Sequence, residues 1–375
     1  MARPRILRTL ILDIVDKGVS REDAEERLVE LRNLIRTAGG IVIKKIIQKR
    51  GRPSAKTFLG TGKIQEASMI AKEKDIDLVI VNGLLKPNQY LHLQHAFPKK
   101  MLWDRTDLIL GIFDKHASSR LAQLQIKLAR LQHEIPKLYA RQATTLFERA
   151  GAGIGTRGPG EKGIEAEKRH IRSQIKQIDK KIQTLQRTHS AQRHRRIKNG
   201  LPTISLIGYT NAGKSSLMQL LTEKENVVAN NALFTTLDTR IGKTWLPDSD
   251  QEVLVADTIG FIADVPPTLI SSFLTTLEEA RNADLLLHVI DISDPKYQQK
   301  IQVVQEILQQ LGCEDMPQLY VCNKMDVAQN FDFEDFSGAY AQHSPILISC
   351  MREKNLNFLK RKISCILDKK SLALA

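Results

Sequence analysis

Apolar residues in the first third of the chain alternate between helical and extended spacing. The pattern predicts helices over residues 25–37 and 63–74 and from Pro87, and strands over residues 41–48, 78–81 and 100–103. Gly39 and Gly40 end the first helix, and Pro87 is a residue typical of a first helical turn. Alternation of this kind indicates a small α/β domain with a parallel sheet over residues 1–115.

Two longer stretches repeat hydrophobic residues at alternating steps of three and four. The first series is Leu121, Leu124, Leu128, Leu131, Ile135 and Leu138, and the second is Ile171, Ile175, Ile178, Ile182 and Leu185. This spacing is typical of helices that pack along a common seam. Residues 151–160 between them contain five glycines and Pro159, which disfavour a helix. We therefore predict an antiparallel helical hairpin with a glycine-rich tip and a basic linker over residues 116–199.

The α/β alternation resumes in a third domain, residues 200–375. Strands are predicted over residues 203–207, 252–256, 284–290, 317–322 and 345–348, and helices over residues 214–222, 268–281, 297–311 and 354–367.

Charge is distributed unevenly along the chain. The formal net charge is +14, from 56 Lys and Arg against 42 Asp and Glu. Residues 1–200 hold 41 basic and 20 acidic residues, a net charge of +21, and the rest hold 15 and 22, a net charge of −7. A polyanion is the natural partner of such a basic half.

Several protein classes are excluded by the sequence. No apolar run approaches the ~18–20 residues of a membrane-spanning helix. Asp13 and Asp16 interrupt the early apolar stretch, which disfavours a secretory signal, while an organellar signal stays open as an alternative. The four cysteines form no CxxC pair, which favours reduced thiols in or near the core. We expect a cytoplasmic protein without a membrane span.

Residues 208–215 match the phosphate-binding pattern GxxxxGK[ST] between a predicted strand and a predicted helix. The glycines let backbone amides surround a phosphate, Lys214 would reach the β- and γ-phosphates, and Ser215 would ligate Mg²⁺. An ordinary glycine turn is the alternative. The nucleotide contacts predicted in this segment come from Gly208, Asn211, Ala212, Gly213, Lys214, Ser215 and Ser216.

Two further segments fit a nucleoside triphosphate and its metal. Asp257 follows a predicted strand and would hold Mg²⁺ through water, and the Gly260 amide would sense the γ-phosphate. Residues 234–238 (FTTLD) offer a hydroxyl for a loop that closes on Mg²⁺.

Guanine selectivity is predicted for the Asn323-Lys324-Met325-Asp326 segment after a strand. The Asp326 carboxylate can accept hydrogen bonds from guanine N1–H and N2–H₂, whereas it would repel the acceptor N1 of adenine. Ser349 and Cys350 could bring a backbone amide to the guanine oxygen. The expected fold class is therefore α/β: a P-loop GTPase domain with a mostly parallel sheet, preceded by a small α/β domain and a long antiparallel helical hairpin.

The residue after the DxxG segment departs from the pattern of Ras-like GTPases. These enzymes place a water-orienting glutamine there, but this chain has Phe261, so we expect slow intrinsic hydrolysis. Asn211 occupies a position where some GTPases hold K⁺. A role in stabilising the loop is the alternative for Asn211.

The complete set of motifs resembles the HflX family of ribosome-associated GTPases. The resemblance spans nearly the whole chain and includes GAGIGTRGPGE at 151–161, GYTNAGKSS, LFTTLD, DTIGF, NKMD and DRTDLILGIF at 104–113. It implies a GTPase that binds the large ribosomal subunit in its GTP form, with the N-terminal and hairpin parts near ribosomal RNA. The implied role is splitting or rescue of stalled ribosomes under stress.

The resemblance also assigns site residues. Matching positions for nucleotide and Mg²⁺ are Lys214, Ser215, Thr236, Asp257, Gly260, Asn323 and Asp326. Thr236 is the metal-binding threonine of the family pattern because it directly precedes Leu237-Asp238. The resemblance thus implies Lys214, Thr236 and Gly260 as the catalytic group, and Ser215, Thr236 and Asp257 as the Mg²⁺ group.

Three departures from the family pattern limit this transfer. Glu161 is followed by KGIE where the family has TQLE, and Ser349-Cys350-Met351 replaces Ser-Ala-Lys. Many members also carry a small C-terminal domain, and we expect its contacts to be absent here.

Residues 161–200 contain 12 basic and 4 acidic residues, a net charge of +8. A solvated helix face is one explanation, and recognition of structured RNA by charge and shape is the other. Aromatic residues are scarce in the hairpin, which argues against stacking on single-stranded bases. Gly60-Thr61-Gly62-Lys63 is a weak candidate for a second phosphate site, and a turn at the start of a helix is favoured instead.

The sequence thus predicts a monomeric, Mg²⁺-dependent GTPase that works with the large ribosomal subunit and its RNA. The alternative is a nucleotide-gated RNA-binding or ribosome assembly factor in which hydrolysis is incidental.

Overall fold

The computed structural model describes residues 6–150, 159–198, 201–222, 240–258, 260–262 and 280–374. The chain forms two compact units. Unit 1 comprises residues 1–115 with 123–183, and unit 2 comprises residues 116–122 with 184–375. The division into three domains at residues 115 and 199 stays a prediction.

Unit 1 contains a four-stranded sheet in which all neighbouring strands are parallel, in the order β2-β1-β3-β4. The strands are β1 (Leu7–Val15), β2 (Gly40–Lys49), β3 (Leu78–Val81) and β4 (Met101–Trp103), and the helices between them are α1 (Arg21–Thr37), α2 (Thr61–Glu73) and α3 (Pro87–Ala96). The predicted alternation of helices and strands is present. The sequence analysis did not predict β1, although it is a central strand.

The start of α1 shows how local sequence determines a helix boundary. The Ser20 hydroxyl accepts a hydrogen bond from the Asp23 backbone amide at 3.0 Å and so satisfies one of the free amides of the first turn. Leu28, Leu31 and Leu34 recur on one face and are fully buried. The helix begins earlier than the predicted residue 25 because its first turn is polar.

Unit 1 also contains α4 (Arg105–His116) and residues of two long helices, α5 (Arg120–Ala150) and α6 (Pro159–Lys198). Residues 151–158 of the predicted tip lie outside the described residues. In α6, Ile171, Ile178 and Ile182 of the predicted seam are buried. The basic residues off this seam are exposed, namely Arg169, Arg172, Lys176, Lys180 and Lys181.

Unit 2 is built on a six-stranded sheet in the order β10-β9-β8-β5-β7-β6. All its neighbouring strands are parallel except β6, which pairs antiparallel with β7 and was not predicted. The strands are β5 (Thr203–Ile207), β6 (Arg240–Leu246), β7 (Gln251–Asp257), β8 (Leu285–Asp291), β9 (Gln318–Asn323) and β10 (Ile346–Leu347). The fold class is as predicted.

The described helices of unit 2 beyond α6 are α7 (Lys214–Thr222), α8 (Tyr297–Gln310), α9 (Phe333–Ala339) and α10 (Leu356–Leu374). The predicted helix 268–281 lies outside the described residues except for its last two positions. Side chains of α7, β5, β7, β8, β9 and α10 form one buried apolar core. This core holds the carboxyl ends of the parallel strands at one edge of the sheet, where the predicted site residues occur.

Among the described residues, no helix is long and apolar enough to cross a membrane. The thiols of Cys313 and Cys322 are buried, as expected, and all four cysteines are free. The exposed position of Cys365 differs from the prediction that every cysteine lies in or near the core.

Because β1 is a central strand, substitutions in it should lower the free energy of unfolding more than substitutions in the edge strand β2. Leu12 in β1 is fully buried, whereas Ile41 in the edge strand β2 is 46% exposed. Leu12→Ala should lower the free energy of unfolding of unit 1 by ~2–5 kcal/mol, because it removes buried apolar atoms and leaves a cavity. Ile41→Ala should cost less than ~1 kcal/mol. Urea denaturation in a Trp245→Phe background, followed by Trp103 fluorescence, measures both. Equal losses for the two variants would contradict the burial of β1.

Candidate nucleotide-binding site

The loop between β5 and α7 requires glycine at two positions. Gly208 has φ +144°, and a Cβ there would lie 2.3 Å from the carbonyl oxygen of Val289. Gly213 has φ +100°, and a Cβ there would lie 2.1 Å from Nδ2 of Asn323. Both positions combine a backbone conformation that L side chains rarely adopt with a contact that leaves no room for one. The glycines of the predicted phosphate loop are thus required by the fold.

Lys214, the first residue of α7, is buried and folds back on the loop. Its Nζ donates hydrogen bonds to the carbonyl oxygens of Gly208 at 2.9 Å and Tyr209 at 2.8 Å. Burial lowers the pKa of Lys214 to about 8, and the negative charge of Asp257 opposes part of this shift. A phosphate beside Nζ would favour the charged ammonium and raise this pKa again.

Ser215 and Asp257 meet at the carboxyl edge of the sheet. The Ser215 hydroxyl donates a hydrogen bond to Oδ2 of Asp257 at 2.8 Å, and the Asp257 side chain is fully buried at the end of β7. Hydroxyl and carboxylate oxygens are the donors that Mg²⁺ prefers. This pair fits a site in which the Ser215 hydroxyl ligates the ion and the Asp257 carboxylate holds it through water.

The segment after Asp257 returns to the phosphate loop. The backbone amide of Thr210 donates to the carbonyl oxygen of Phe261 at 2.7 Å. The backbone amide of Phe261 donates in turn to the carbonyl oxygen of Gly208 at 3.1 Å. A Cβ on Gly260 would lie 3.0 Å from Nζ of Lys214, so the Gly260 backbone borders the same space. The Phe261 side chain is buried in an apolar cluster with Ile207 and Leu286. Phe261 therefore belongs to the core.

Asn323, the last residue of β9, joins two loops through its buried amide. Its Nδ2 donates to the carbonyl oxygen of Ala212 at 2.9 Å, and its Oδ1 accepts from the Cys350 backbone amide at 3.1 Å. The first contact reaches the phosphate loop, and the second reaches the loop after β10. Three predicted site segments are thereby tied together.

Asp326 and Ser349 lie next to each other in the predicted guanine region. The Ser349 hydroxyl donates to Oδ1 of Asp326 at 2.6 Å and accepts from the Arg352 backbone amide at 3.1 Å. The hydrogen bond from Ser349 lowers the pKa of Asp326, so this carboxylate is ionised at neutral pH. An ionised carboxylate can accept both guanine N–H groups. Burial raises the pKa of the Cys350 thiol to about 12, which keeps it neutral.

The structure brings most of the predicted site residues to one edge of the unit 2 sheet. Asn211 is exposed, with φ 64° in the left-handed region, and Ser216 is half-buried in the first turn of α7. Thr236 lies outside the described residues. The individual roles assigned to the site residues stay predictions.

Two contacts near the site were missed by the sequence analysis. Lys324 Nζ donates to Oδ2 of Asp291 at 2.6 Å, and Lys300, which also pairs with Asp294, lies 4.8 Å from the ring centroid of Tyr209. Asp291 ends an apolar strand, as Asp257 does, and this signal could have identified it. No sequence pattern links Lys300 to Tyr209, because the contact depends on how α8 packs.

The Gly60–Lys63 segment forms the start of α2, as favoured from sequence. The Gly60 amide donates to Oε1 of Gln48 at 2.7 Å, and Lys63 pairs with Glu66 at 2.7 Å. An amide and an ammonium that a phosphate would use therefore already have protein partners.

Family models match three consecutive regions of the chain. The model described as GTP-binding GTPase N-terminal matches residues 25–114, and the one described as GTP-binding GTPase Middle Region matches residues 116–196. The model described as 50S ribosome-binding GTPase matches residues 203–324.

Similar whole proteins agree with these models. The chain is 43% identical to the GTPase HflX of Caldanaerobacter subterraneus subsp. tengcongensis, over 83% of this chain and 72% of that protein. It is 38% identical to the GTPase HflX of Escherichia coli K12, over 82% of this chain and 71% of that protein. A GTP-binding protein from Sulfolobus solfataricus, crystallised with GDP, shares the fold at 23% identity and a TM-score of 0.51, over 97% of this chain and 99% of that one. The chain belongs to the HflX family of GTPases.

Proposed function

We propose that this GTPase binds the large ribosomal subunit in its GTP-bound state, contacts ribosomal RNA through α6, and leaves after hydrolysis. The role that fits best is splitting or rescue of stalled ribosomes under stress, by a monomer in the cytoplasm. The family gives GTP hydrolysis and a ribosome-binding GTPase domain. The observation that supports RNA contact is the exposed basic surface of α6.

This surface is defined by five residues, Arg169, Arg172, Lys176, Lys180 and Lys181. All five are exposed, while Ile171, Ile178 and Ile182 of the apolar seam are buried. Residues 161–200 carry only 4 acids against 12 basic residues, so intrahelical ion pairs cannot neutralise the segment. A long helix with a positive surface suits the phosphates that line a groove of folded RNA.

Separate residues of the nucleotide site are assigned to the metal ion and to the phosphates. Membership of a GTPase family implies a general dependence on Mg²⁺. We assign the metal to Ser215, Asp257 and Thr236, where the ion would offset charge that develops on the phosphates. Lys214 would exchange its two carbonyl partners for phosphate oxygens, and the Gly260 amide would bind the γ-phosphate.

The burial of Phe261 favours an external contribution to hydrolysis. Its ring lies in the core and cannot orient water. Either the ribosome completes the catalytic group, or K⁺ beside the exposed Asn211 supplies positive charge. The alternative function is a nucleotide-gated assembly factor in which hydrolysis is incidental. It rests on the same observation, that Phe261 stands where Ras-like GTPases have a water-orienting glutamine.

Asp326→Asn tests the guanine assignment. Loss of the ionised acceptor should weaken GDP binding at least about tenfold, or ~1.4 kcal/mol. Xanthine carries a carbonyl oxygen in place of the guanine 2-amino group, so the new amide should bind xanthosine diphosphate better than the parent does. Isothermal titration of both nucleotides measures the change, with Asp368→Asn, at an exposed position of α10, as the matched control. Unchanged GDP affinity would refute the assignment.

Neutralising the basic surface of α6 should weaken binding to large subunits. Arg169→Gln, Lys176→Gln and Lys181→Gln together should reduce co-sedimentation about tenfold or more in the presence of a GTP analogue, and should flatten its salt dependence. A control with Lys72→Gln, Lys354→Gln and Arg361→Gln removes the same charge from other exposed positions. If both triple variants bind alike, α6 is an ordinary solvated helix.

GTP turnover with and without large subunits separates the two functions. We expect stimulation of about tenfold or more by the subunits, because Phe261 leaves the isolated chain without a residue that positions water. An assembly factor with incidental hydrolysis should show little stimulation. Replacing K⁺ by Na⁺ should slow turnover if Asn211 holds K⁺, and equal rates in the two salts would assign Asn211 to loop stability alone.

A further inference from the structure

We propose that Asp104, Asp107 and His133 form a binding site in unit 1 for a divalent transition-metal ion of the zinc type. Asp104 immediately precedes α4, Asp107 lies in its first turn, and His133 projects from α5. One nitrogen and two carboxylate oxygens are a common ligand set for such ions. This site is separate from the nucleotide site.

The two distances between His133 and the aspartates fit coordination to one ion. Nε2 of His133 lies 3.2 Å from Oδ2 of Asp104 and 3.3 Å from Oδ1 of Asp107. The three ligand atoms lie within 4.8 Å of one another. Two ligands of a tetrahedral zinc ion are ~3.3 Å apart, since each lies ~2.0–2.1 Å from the metal.

The position of the imidazole also favours an ion. Nε2 of His133 is buried and lies within 3.3 Å of one carboxylate oxygen from each aspartate. A metal ion held between this nitrogen and these two oxygens would contact all three ligands.

Both carboxylates are held in place by the start of α4. The Asp107 backbone amide donates to Oδ1 of Asp104 at 2.9 Å, and the Asp104 backbone amide donates to Oδ2 of Asp107 at 3.1 Å. The Leu85 amide makes a long contact of 3.4 Å with Oδ2 of Asp104, which is fully buried. Hydrogen bonds of this kind orient metal ligands in advance and reduce the entropy lost on binding.

Lys137 lies beside the same cluster. Its ammonium is 2.9 Å from Oδ2 and 3.1 Å from Oδ1 of Asp107, and 4.5 Å from the ring centroid of Tyr90. Oδ1 is also the oxygen that lies 3.3 Å from Nε2 of His133, so Lys137 would compete with a metal ion for this ligand atom.

A cavity borders two of the three ligands, Asp107 and His133. It has a volume of about 280 Å³ and is lined by residues that include Trp103, Asp107, His133 and Lys137. This volume has room for a water molecule as the fourth ligand. A metal ion bound here would link α4 to α5 inside unit 1, where the Lys137–Asp107 and Arg130–Asp114 ion pairs also join them.

Metal titration of the full chain tests the proposal. The protein is treated with EDTA, dialysed, and saturated with GDP and Mg²⁺ so that the nucleotide site is filled. We expect one Zn²⁺ per chain by calorimetry, and Co²⁺ should give the intense visible absorption of tetrahedral coordination. His133→Gln should lose this equivalent and this absorption, whereas His170→Gln, at an exposed position of α6, should keep both.

A second variant separates metal binding from simple ion pairing. Lys137→Met keeps all three ligands and removes the competing ammonium, so it should bind Zn²⁺ about as tightly as the parent or up to tenfold more tightly. Circular dichroism checks that each variant is folded. If the parent and Lys137→Met take up no more Zn²⁺ or Co²⁺ than His133→Gln does, the cluster is an ion-pair network and the proposal is wrong.

Discussion

The buried amide of Asn323 is the interaction on which the nucleotide site depends. It donates to Ala212 in the phosphate loop and accepts from Cys350 in the loop after β10. Each bond contributes ~1 kcal/mol, but loss of one partner would leave a buried polar group unsatisfied at a cost of ~1–3 kcal/mol. The same contact explains Gly213, because a Cβ there would overlap the Asn323 side chain. One side chain therefore couples the segments predicted to bind phosphate and guanine.

Most residues of the candidate site could be named from the sequence because their signals are local. Gly208, Lys214, Asp257 and Asn323 each follow or begin an element whose apolar pattern is clear, and parallel strands bring such ends to one edge. The Lys324–Asp291 pair and the Lys300–Tyr209 contact join residues far apart in the chain. Their spacing carries no periodic signal, so they became visible only in three dimensions.

The errors in the fold prediction also have physical causes. β1 was missed because Asp13 interrupts its apolar run, yet this aspartate is buried at the centre of the sheet and burial raises its pKa. β6 was missed because it alternates between buried and exposed residues over a short segment rich in polar residues. Hydrophobic patterns identify strands that are apolar throughout, such as β3, more readily than strands with one solvent-exposed face or one buried charge.

The charge asymmetry of the chain corresponds to two kinds of chemistry. The acidic part of the sequence contains the carboxylates assigned to metal and guanine, and the basic part contains the exposed row on α6. A GTPase whose nucleotide state controls contact with RNA would use both parts in one cycle, because the two nucleotide states would then differ in their affinity for the subunit.

Sedimentation of the chain with separated ribosomal subunits, in the presence of a GTP analogue, GDP or no nucleotide, tests this coupling most directly. We expect co-sedimentation with large subunits in the presence of the GTP analogue, and at least tenfold weaker association with GDP, or ~1.4 kcal/mol. Equal association in all three states, or association with the small subunit alone, would contradict it.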